Sequence, residues 1–70
     1  MANREIKIDS EFIKLGALLK YAGTARSGAD AKVMITGGKV MLNGETEMRR
    51  GRKIRPGDKV ETGGETITIV

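Results

Sequence analysis

The sequence predicts an α+β domain in which a two-helix motif packs on a small, mainly antiparallel sheet of short strands. Two segments in the first half of the chain place apolar residues at helical spacing. The second half alternates apolar and polar residues and contains three turn signals that include glycine. With 70 residues, of which 39% are hydrophobic, we expect one domain, residues 1–70, with a small core.

One strand and one helix are predicted for the first part of the chain. The alternation of Glu5-Ile6-Lys7-Ile8 indicates a short strand. Asp9 is the expected N-cap of a first helix, roughly Ser10 to Tyr21, and Gly23 is its stop. The apolar stripe of this helix, which includes a phenylalanine that we expect in the core, is Phe12, Leu15, Leu18, Leu19 and Ala22.

A second helix follows after a short link. Ser27-Gly28-Ala29-Asp30 matches the capping-box pattern, with Asp in the place of Glu. Ala31, Met34 and Ile35 form the stripe that should face the core, and Gly37-Gly38 ends the helix. The two helices are therefore joined by a tight turn that contains glycine.

Short strands and tight turns are predicted for the rest of the chain. Val40 and Leu42 point to the same side of a strand, and Asn43-Gly44 after them is the strongest short hairpin signal. Turns at Pro56-Gly57 and Gly63-Gly64 separate the later strands. The three strands expected after the hairpin turn are Glu45–Met48, Lys59–Thr62 and Thr66–Val70. The last of them has plausible pairing partners in Ile6 and Ile8.

The composition excludes most catalytic chemistry. The chain has no cysteine, which excludes disulfides, thiolate nucleophiles and zinc–cysteine sites. It has no histidine, which excludes Ser–His triads and imidazole metal ligands. We therefore expect no enzyme activity, no metal or other cofactor and no small-molecule substrate. The apolar runs are too short to span a membrane and the first residues lack a signal-peptide pattern, so we expect a cytoplasmic protein without a membrane partner. We also expect a monomer.

The positive charge is concentrated in the middle of the chain. The net charge is +4, from 13 basic and 9 acidic residues. Residues 14–55 hold ten of the basic and three of the acidic residues, a balance of +7. The densest part, residues 49–55, has five positive charges, mostly arginine, and no acid among them to relieve their repulsion. Such a run is either a solvated loop or the electrostatic footprint of a nucleic acid, and arginine favours the second because it binds phosphate bidentately.

From Ile8 to Val60 the sequence resembles the S-four domain family, an RNA-binding module, and most closely its stand-alone bacterial members of the YaaA and YbcJ type. The family pattern is an acidic residue before a leucine-rich helix, a glycine, a serine with an alanine four residues later, an Asn-Gly turn and a later Gly-Asp turn. The matching residues are Asp9, Leu15, Leu18, Leu19, Gly23, Ser27, Ala31, Ile35, Gly38, Val40, Asn43-Gly44, Gly57-Asp58 and Val60. The resemblance implies the α-L fold and binding to structured RNA, either ribosomal or transfer RNA, with the ribosome as an expected partner.

The second helix departs from the family pattern. Many members have arginine after the serine and glutamine before the alanine, where this chain has Gly28 and Asp30. Gly28 removes a phosphate contact and Asp30 adds a negative charge to the surface that should meet RNA. Arg26 is the residue that could substitute for the missing arginine.

The candidate RNA contacts lie on the second helix and in the basic run. They are Arg26, Ser27, Lys32, Lys39, Arg49, Arg50, Arg52, Lys53 and Arg55. Two interpretations of Ser27 stay open: a phosphate bound at the start of the second helix, or a capping box closed by Asp30. Lys39 either extends the basic face or is an ordinary solvated lysine.

The predicted function is non-catalytic binding to the phosphate backbone of structured RNA. The chain has only two aromatic residues, Phe12 and Tyr21, too few to stack a run of unpaired bases, which favours recognition of backbone and shape. We expect Tyr21 at the edge of the core. A duplex DNA-binding module, in which the two helices form a helix-turn-helix, is the less favoured alternative. A module that binds an acidic protein partner is another.

Overall fold

Two helices lie against one face of a five-stranded sheet. The computed structural model describes residues 2–70 and confirms the α+β class. Along the chain the elements are β1 (Ala2–Ile6), β2 (Ile13–Lys14), α1 (Leu15–Tyr21), α2 (Gly28–Thr36), β3 (Met41–Leu42), β4 (Glu45–Thr46), β5 (Lys53–Ile54), β6 (Lys59–Thr62) and β7 (Glu65–Ile69). In the part of the chain that is described, no helix is long and apolar enough to cross a membrane.

The sheet has the strand order β1-β7-β6-β3-β4 and is antiparallel except between β1 and β7. The predicted pairing of the last strand with the first is confirmed. Ile6 lies opposite Ile69, and the Ile8 N–H donates to the Val70 carbonyl at 3.2 Å. The parallel pair is possible because both helices and the intervening strands separate β1 from β7 in the sequence.

The core is made by the helices and the inward face of the sheet. Alternate residues of β6 and β7 are buried, as the period of two requires. The largest side chains without solvent exposure are Leu15, Leu18, Leu19, Ile35, Val40, Ile54, Val60, Ile67 and Ile69. Apart from Val40, which directly precedes β3, they come from both helices and from β5, β6 and β7, so each element depends on the others for its apolar contacts.

All three predicted turns are confirmed. Asn43 and Gly44 both have positive φ, 51° and 87°, and so do Gly63 and Gly64. This is the backbone of the hairpin turn that matches the twist of antiparallel strands. Gly57 has φ 99° after Pro56, and the Asp58 N–H donates to the Arg55 carbonyl at 3.0 Å to close that turn.

The predicted start of the first helix is wrong. The helix α1 begins at Leu15, not Ser10, and Asp9 is not its N-cap. Residues 13 and 14 form β2 instead, with Ile13 opposite Ile54 of β5. The apolar spacing of residues 10–14 would allow a helix, but pairing with β5 is favoured instead because it buries Ile54 completely in the core.

Three further expectations need correction, and the predicted helix ends are confirmed. Phe12 is half-buried and lies outside the buried core, while Tyr21 is 70% exposed rather than at the core edge. The helix ends are as predicted: Gly23 follows α1 with φ +77°, and Gly37-Gly38 terminates α2. The return strand of the hairpin is shorter than expected, Glu45–Thr46 rather than Glu45–Met48.

Candidate nucleic-acid interface

The basic segment, defined as residues 49–55, is held by a short second sheet rather than left as a free loop. Its Lys53 and Ile54 form β5, which pairs antiparallel with β2. Ile54 is buried while the five cationic residues around it are all exposed. The segment therefore has an apolar anchor in the core and carries its charges on the surface.

The backbone of the basic segment also closes the N-terminus of α1. The Leu15 N–H donates to the Arg52 carbonyl at 2.8 Å, and the Gly16 N–H donates to the Arg50 carbonyl at 3.0 Å. First-turn amides of a helix have no partner inside the helix, and no side chain caps α1. Two carbonyls of the basic segment thus replace the missing N-cap and fix the path of its backbone.

Glu47 connects two of the arginines. Its Oε2 accepts from the Arg49 backbone N–H at 3.1 Å and from the Arg49 Nε at 3.2 Å, and its Oε1 lies 3.8 Å from the Arg52 Nε. The Glu47 side chain is only 12% exposed. Hydrogen bonds from Arg49 are the main reason that the pKa of this carboxyl lies below its usual value. The repulsion within the basic run is therefore partly relieved by an acid two residues ahead of it, which sequence reasoning missed.

Lys53 and Arg55 are positioned by other neighbours. The Lys53 Nζ lies 4.8 Å from the centroid of the Phe12 ring, a cation–π arrangement. Lys53 is also opposite Lys14 in the β2–β5 pair, so two lysines are adjacent there. The Arg55 N–H donates to the Asp58 Oδ2 at 2.8 Å, which fixes the backbone and leaves the Arg55 side chain exposed.

At the start of α2 the capping hydrogen bond is present. The Ser27 Oγ accepts from the Asp30 N–H at 3.1 Å, and the Asp30 Oδ2 accepts from the Arg26 N–H at 2.9 Å. The second bond differs from a standard capping box, in which the carboxylate would bind the N–H of the cap residue itself. A carboxylate therefore lies at the helix N-terminus, where a phosphate would otherwise be favoured. The Arg26 and Lys32 side chains are exposed.

Lys39 lies where α2 passes into β3. Its carbonyl accepts from the buried Thr62 Oγ1 at 2.9 Å, and its side chain is exposed. An open polar groove of about 430 Å³ lies between the β3–β4 hairpin and the basic segment. It is lined by Leu42, Asn43, Glu45, Thr46, Glu47, Arg49 and Arg52.

Apart from Lys39, which lies beyond the C-terminus of α2, the candidate contacts form two groups. One surrounds the basic segment, where Glu47 joins Arg49 to Arg52 and α1 holds the backbone. The other is the start of α2, where Ser27 and Asp30 organise the backbone around Arg26. Within residues 2–70, no hydrogen bond or ion pair joins the two groups, and no three acidic side chains converge on a metal site.

Comparisons with known proteins point to one family. The sequence profile of the S4 domain, the S-four module that the sequence resembles, matches residues 6–70. The “Probable ribosome maturation protein RlbA” of Bacillus subtilis (strain 168) is 47% identical over 64 residues, which are 91% of this chain and 89% of that protein. YbcJ of Escherichia coli (strain K12) is 38% identical over 58 residues, 83% of each chain. The solution structure of YbcJ from E. coli, reported to reveal an ALFAL motif involved in RNA binding, aligns with a TM-score of 0.69 and 34% identity, over 100% of this chain and 87% of that one.

Proposed function

The chain belongs to the S4 domain family, and we propose that it is a non-catalytic protein that binds the phosphate backbone of structured RNA. The RNA is ribosomal or transfer RNA, and the partner in the cell is the ribosome. Two relatives carry names that support this proposal, “Putative RNA-binding protein YbcJ” and “Probable ribosome maturation protein RlbA”.

The observation that carries the proposal is that the basic segment has a fixed backbone and exposed cationic side chains. Its backbone is bound to α1 at two carbonyls and to β2 through β5, while its five cationic residues are exposed. The side chains of Arg49 and Arg52 are 70% and 45% exposed. Charges held on a fixed backbone lose less conformational freedom on binding than charges on a mobile loop.

The α2 group supplies a second set of contacts. Arg26 and Lys32 offer exposed cations there, and Lys39 offers one beyond the other end of the helix. The Ser27 hydroxyl can still donate its proton to a phosphate because the helix cap uses it only as an acceptor. Asp30 weakens this area by its charge. We therefore assign the larger share of the affinity to Arg49, Arg50, Arg52, Lys53 and Arg55.

Recognition depends on backbone and shape more than on base sequence. Arginine and lysine contacts to phosphate carry no sequence information of their own. The described surface offers one highly exposed aromatic side chain, Tyr21, which is not enough for a stacking platform. Folded RNA, in which phosphates from different strands come close together, is the target that suits such a surface.

The test is the salt dependence of binding to folded bacterial ribosomal RNA. The logarithm of the affinity should fall linearly with the logarithm of the salt concentration, by about 0.7 to 0.9 for each phosphate contact. In the triple variant Arg49→Ala, Arg52→Ala, Lys53→Ala, we expect the slope to become shallower by about 2 to 3.

The matched control removes three cations elsewhere. Lys7, Lys20 and Lys59 are exposed and lie outside both groups, so Lys7→Ala, Lys20→Ala, Lys59→Ala loses the same net charge. A slope that changes equally in the two triple variants would mean that the basic segment is not the RNA-binding surface. Competition with duplex DNA at the same salt tests the alternative, and a clear preference for DNA would overturn the proposal.

A further inference from the structure

We propose that Glu47 is a positioning residue. It orients the side chains of Arg49 and Arg52 so that together they bind one RNA phosphate. The inference rests on the proposed function and concerns the geometry of the same surface. RNA is a polyanion, which an acidic residue repels. Glu47 nevertheless favours RNA binding through its effect on the two arginines.

The first step is that Glu47 is itself fixed. Its N–H donates to the Val40 carbonyl at 3.0 Å, which ties it to the residue before β3. Its side chain is 12% exposed, much less than either arginine that it binds. A carboxylate held in this way provides a rigid reference for the two flexible side chains.

The second step concerns which nitrogens Glu47 uses. Both guanidinium groups approach its carboxylate with Nε, at 3.2 Å for Arg49 and 3.8 Å for Arg52. A guanidinium has five N–H donors, and those on the two terminal nitrogens form the end-on pair that fits two phosphate oxygens. Contact through Nε keeps the terminal nitrogens available, so the same group can bind Glu47 on one side and a phosphate at its end.

The third step concerns the groove. Arg49 and Arg52 line it together with Asn43 and Thr46, whose polar groups can add hydrogen bonds to a phosphate or ribose. Two acids, Glu45 and Glu47, line it as well. By Coulomb's law alone either acid should weaken the binding of RNA. The two differ in structure, since Glu45 is exposed and makes no ion pair in the described part of the chain.

This difference makes Glu45 the matched control. Both Glu45→Ala and Glu47→Ala remove one negative charge from the same groove. The test is the Kd of wild type and of each variant for folded bacterial ribosomal RNA at one fixed salt concentration. For Glu45→Ala we expect tighter binding, because only repulsion is lost. For Glu47→Ala we expect binding about tenfold weaker than wild type, because two long side chains must then be ordered by the RNA itself.

A second variant keeps the test decisive if Glu47→Ala perturbs the fold. Glu47→Gln has nearly the same shape and removes the charge, but an NH2 group replaces one carboxylate oxygen and cannot accept a hydrogen bond from the arginine on that side. We expect its Kd to be no lower than that of wild type. Binding by Glu47→Gln that is tighter than binding by wild type would overturn the positioning role.

A spectroscopic measurement separates positioning from support of the fold. In wild type, we expect the Arg49 Nε–H to give a distinct NMR signal that exchanges slowly with water. In Glu47→Gln the Nε–H signals should shift and exchange faster, while the backbone amide signals of β6 and β7 stay in place. Unshifted Nε–H signals would contradict the inference. If wild type itself shows no salt-dependent binding to RNA, the proposed function is wrong. If wild type binds RNA and Glu47→Gln binds it more tightly, only the positioning role of Glu47 is wrong.

Discussion

Gly16 and Arg50 are in direct contact, and a side chain at position 16 has no room. The Gly16 N–H donates to the Arg50 carbonyl at 3.0 Å, and a Cβ on Gly16 would come within 2.6 Å of the Arg50 Cγ. The Arg50 stem therefore lies across the first turn of α1. This contact joins the helix that forms much of the core to the segment that carries the densest positive charge.

We predict that Gly16→Ala destabilises the protein and weakens RNA binding. Alanine is the better helix former by about 0.5–1 kcal/mol. The overlap with the Arg50 stem should outweigh that gain, since overpacking typically costs about 1–3 kcal/mol. Urea unfolding measures the stability, and the Kd for folded ribosomal RNA reports the displaced segment. Gly28→Ala is the control, because nothing lies within 4 Å of its Cβ position and its φ is ordinary.

A double-mutant cycle checks the stated cause. In Gly16→Ala, Arg50→Ala the overlapping stem is absent, so we expect the free energy of unfolding to recover relative to Gly16→Ala. The coupling between the two substitutions should be in the range of about 0.5–3 kcal/mol that residues in contact show. Purely additive effects would show that the strain at Gly16 has another origin.

Local signals in the sequence predicted most of the fold because they describe local structure. Asn43-Gly44 requires positive φ at both positions, and the structure has it. Ser27 caps α2 as its capping-box position indicates. The β2–β5 pair, by contrast, is two residues long on each side and joins positions about forty residues apart. No local pattern identifies such a pair, and the helical spacing that begins at Phe12 concealed it.

The candidate site was predictable in composition but not in arrangement. The cluster at residues 49–55 is visible in the sequence, and so is the acid ahead of it. Sequence spacing does not show that Glu47 folds back onto both Arg49 and Arg52, since this depends on the turn at residues 50 and 51. A Glu two residues before an arginine run is a signal worth testing in other basic segments.

Ser27→Ala should lower the free energy of unfolding by about 0.5–2 kcal/mol, the usual effect of removing a side-chain N-cap. The Asp30 N–H, which Ser27 accepts from at 3.1 Å, would lose its partner in the protein. Thermal or urea unfolding measures this effect. Ser10→Ala is the comparison, because the Ser10 hydroxyl bonds an exposed carbonyl outside any helix, and we expect a change within about 0.5 kcal/mol.

The contribution of Glu47 to stability should disappear in acid. Its pKa is lower in the folded protein than the usual 4.5, mainly because Arg49 binds the carboxylate. A lowered pKa stabilises the folded state above the unfolded-state value, and the stabilisation is lost as the pH falls through the folded-state value. We therefore expect the stability difference between wild type and Glu47→Gln to be constant near neutral pH and to shrink below about pH 4.5.

The same measurement in a background without the two arginines is the control for this pH dependence. In Arg49→Ala, Arg52→Ala the cations that face Glu47 are gone, and Glu45 is the acid that remains in the groove. We expect substitution of Glu47 by Gln to produce a smaller pH dependence there, because only the backbone N–H of residue 49 still binds the carboxylate. An unchanged pH dependence would show that the arginines do not lower the pKa of Glu47.

A buried hydrogen bond joins Thr62 of β6 to Lys39, which lies two residues before β3. The Thr62 side chain is 7% exposed, and its hydroxyl donates to the Lys39 carbonyl at 2.9 Å. Thr62→Val keeps the shape of the side chain but leaves that carbonyl without its donor, which should lower the free energy of unfolding by about 1–3 kcal/mol. Thr68→Val, on the opposite face of the sheet, is the matched control and should change it by less than about 0.5 kcal/mol. Equal effects in urea unfolding would mean that the loss arises from strand propensity and not from the bond to Lys39.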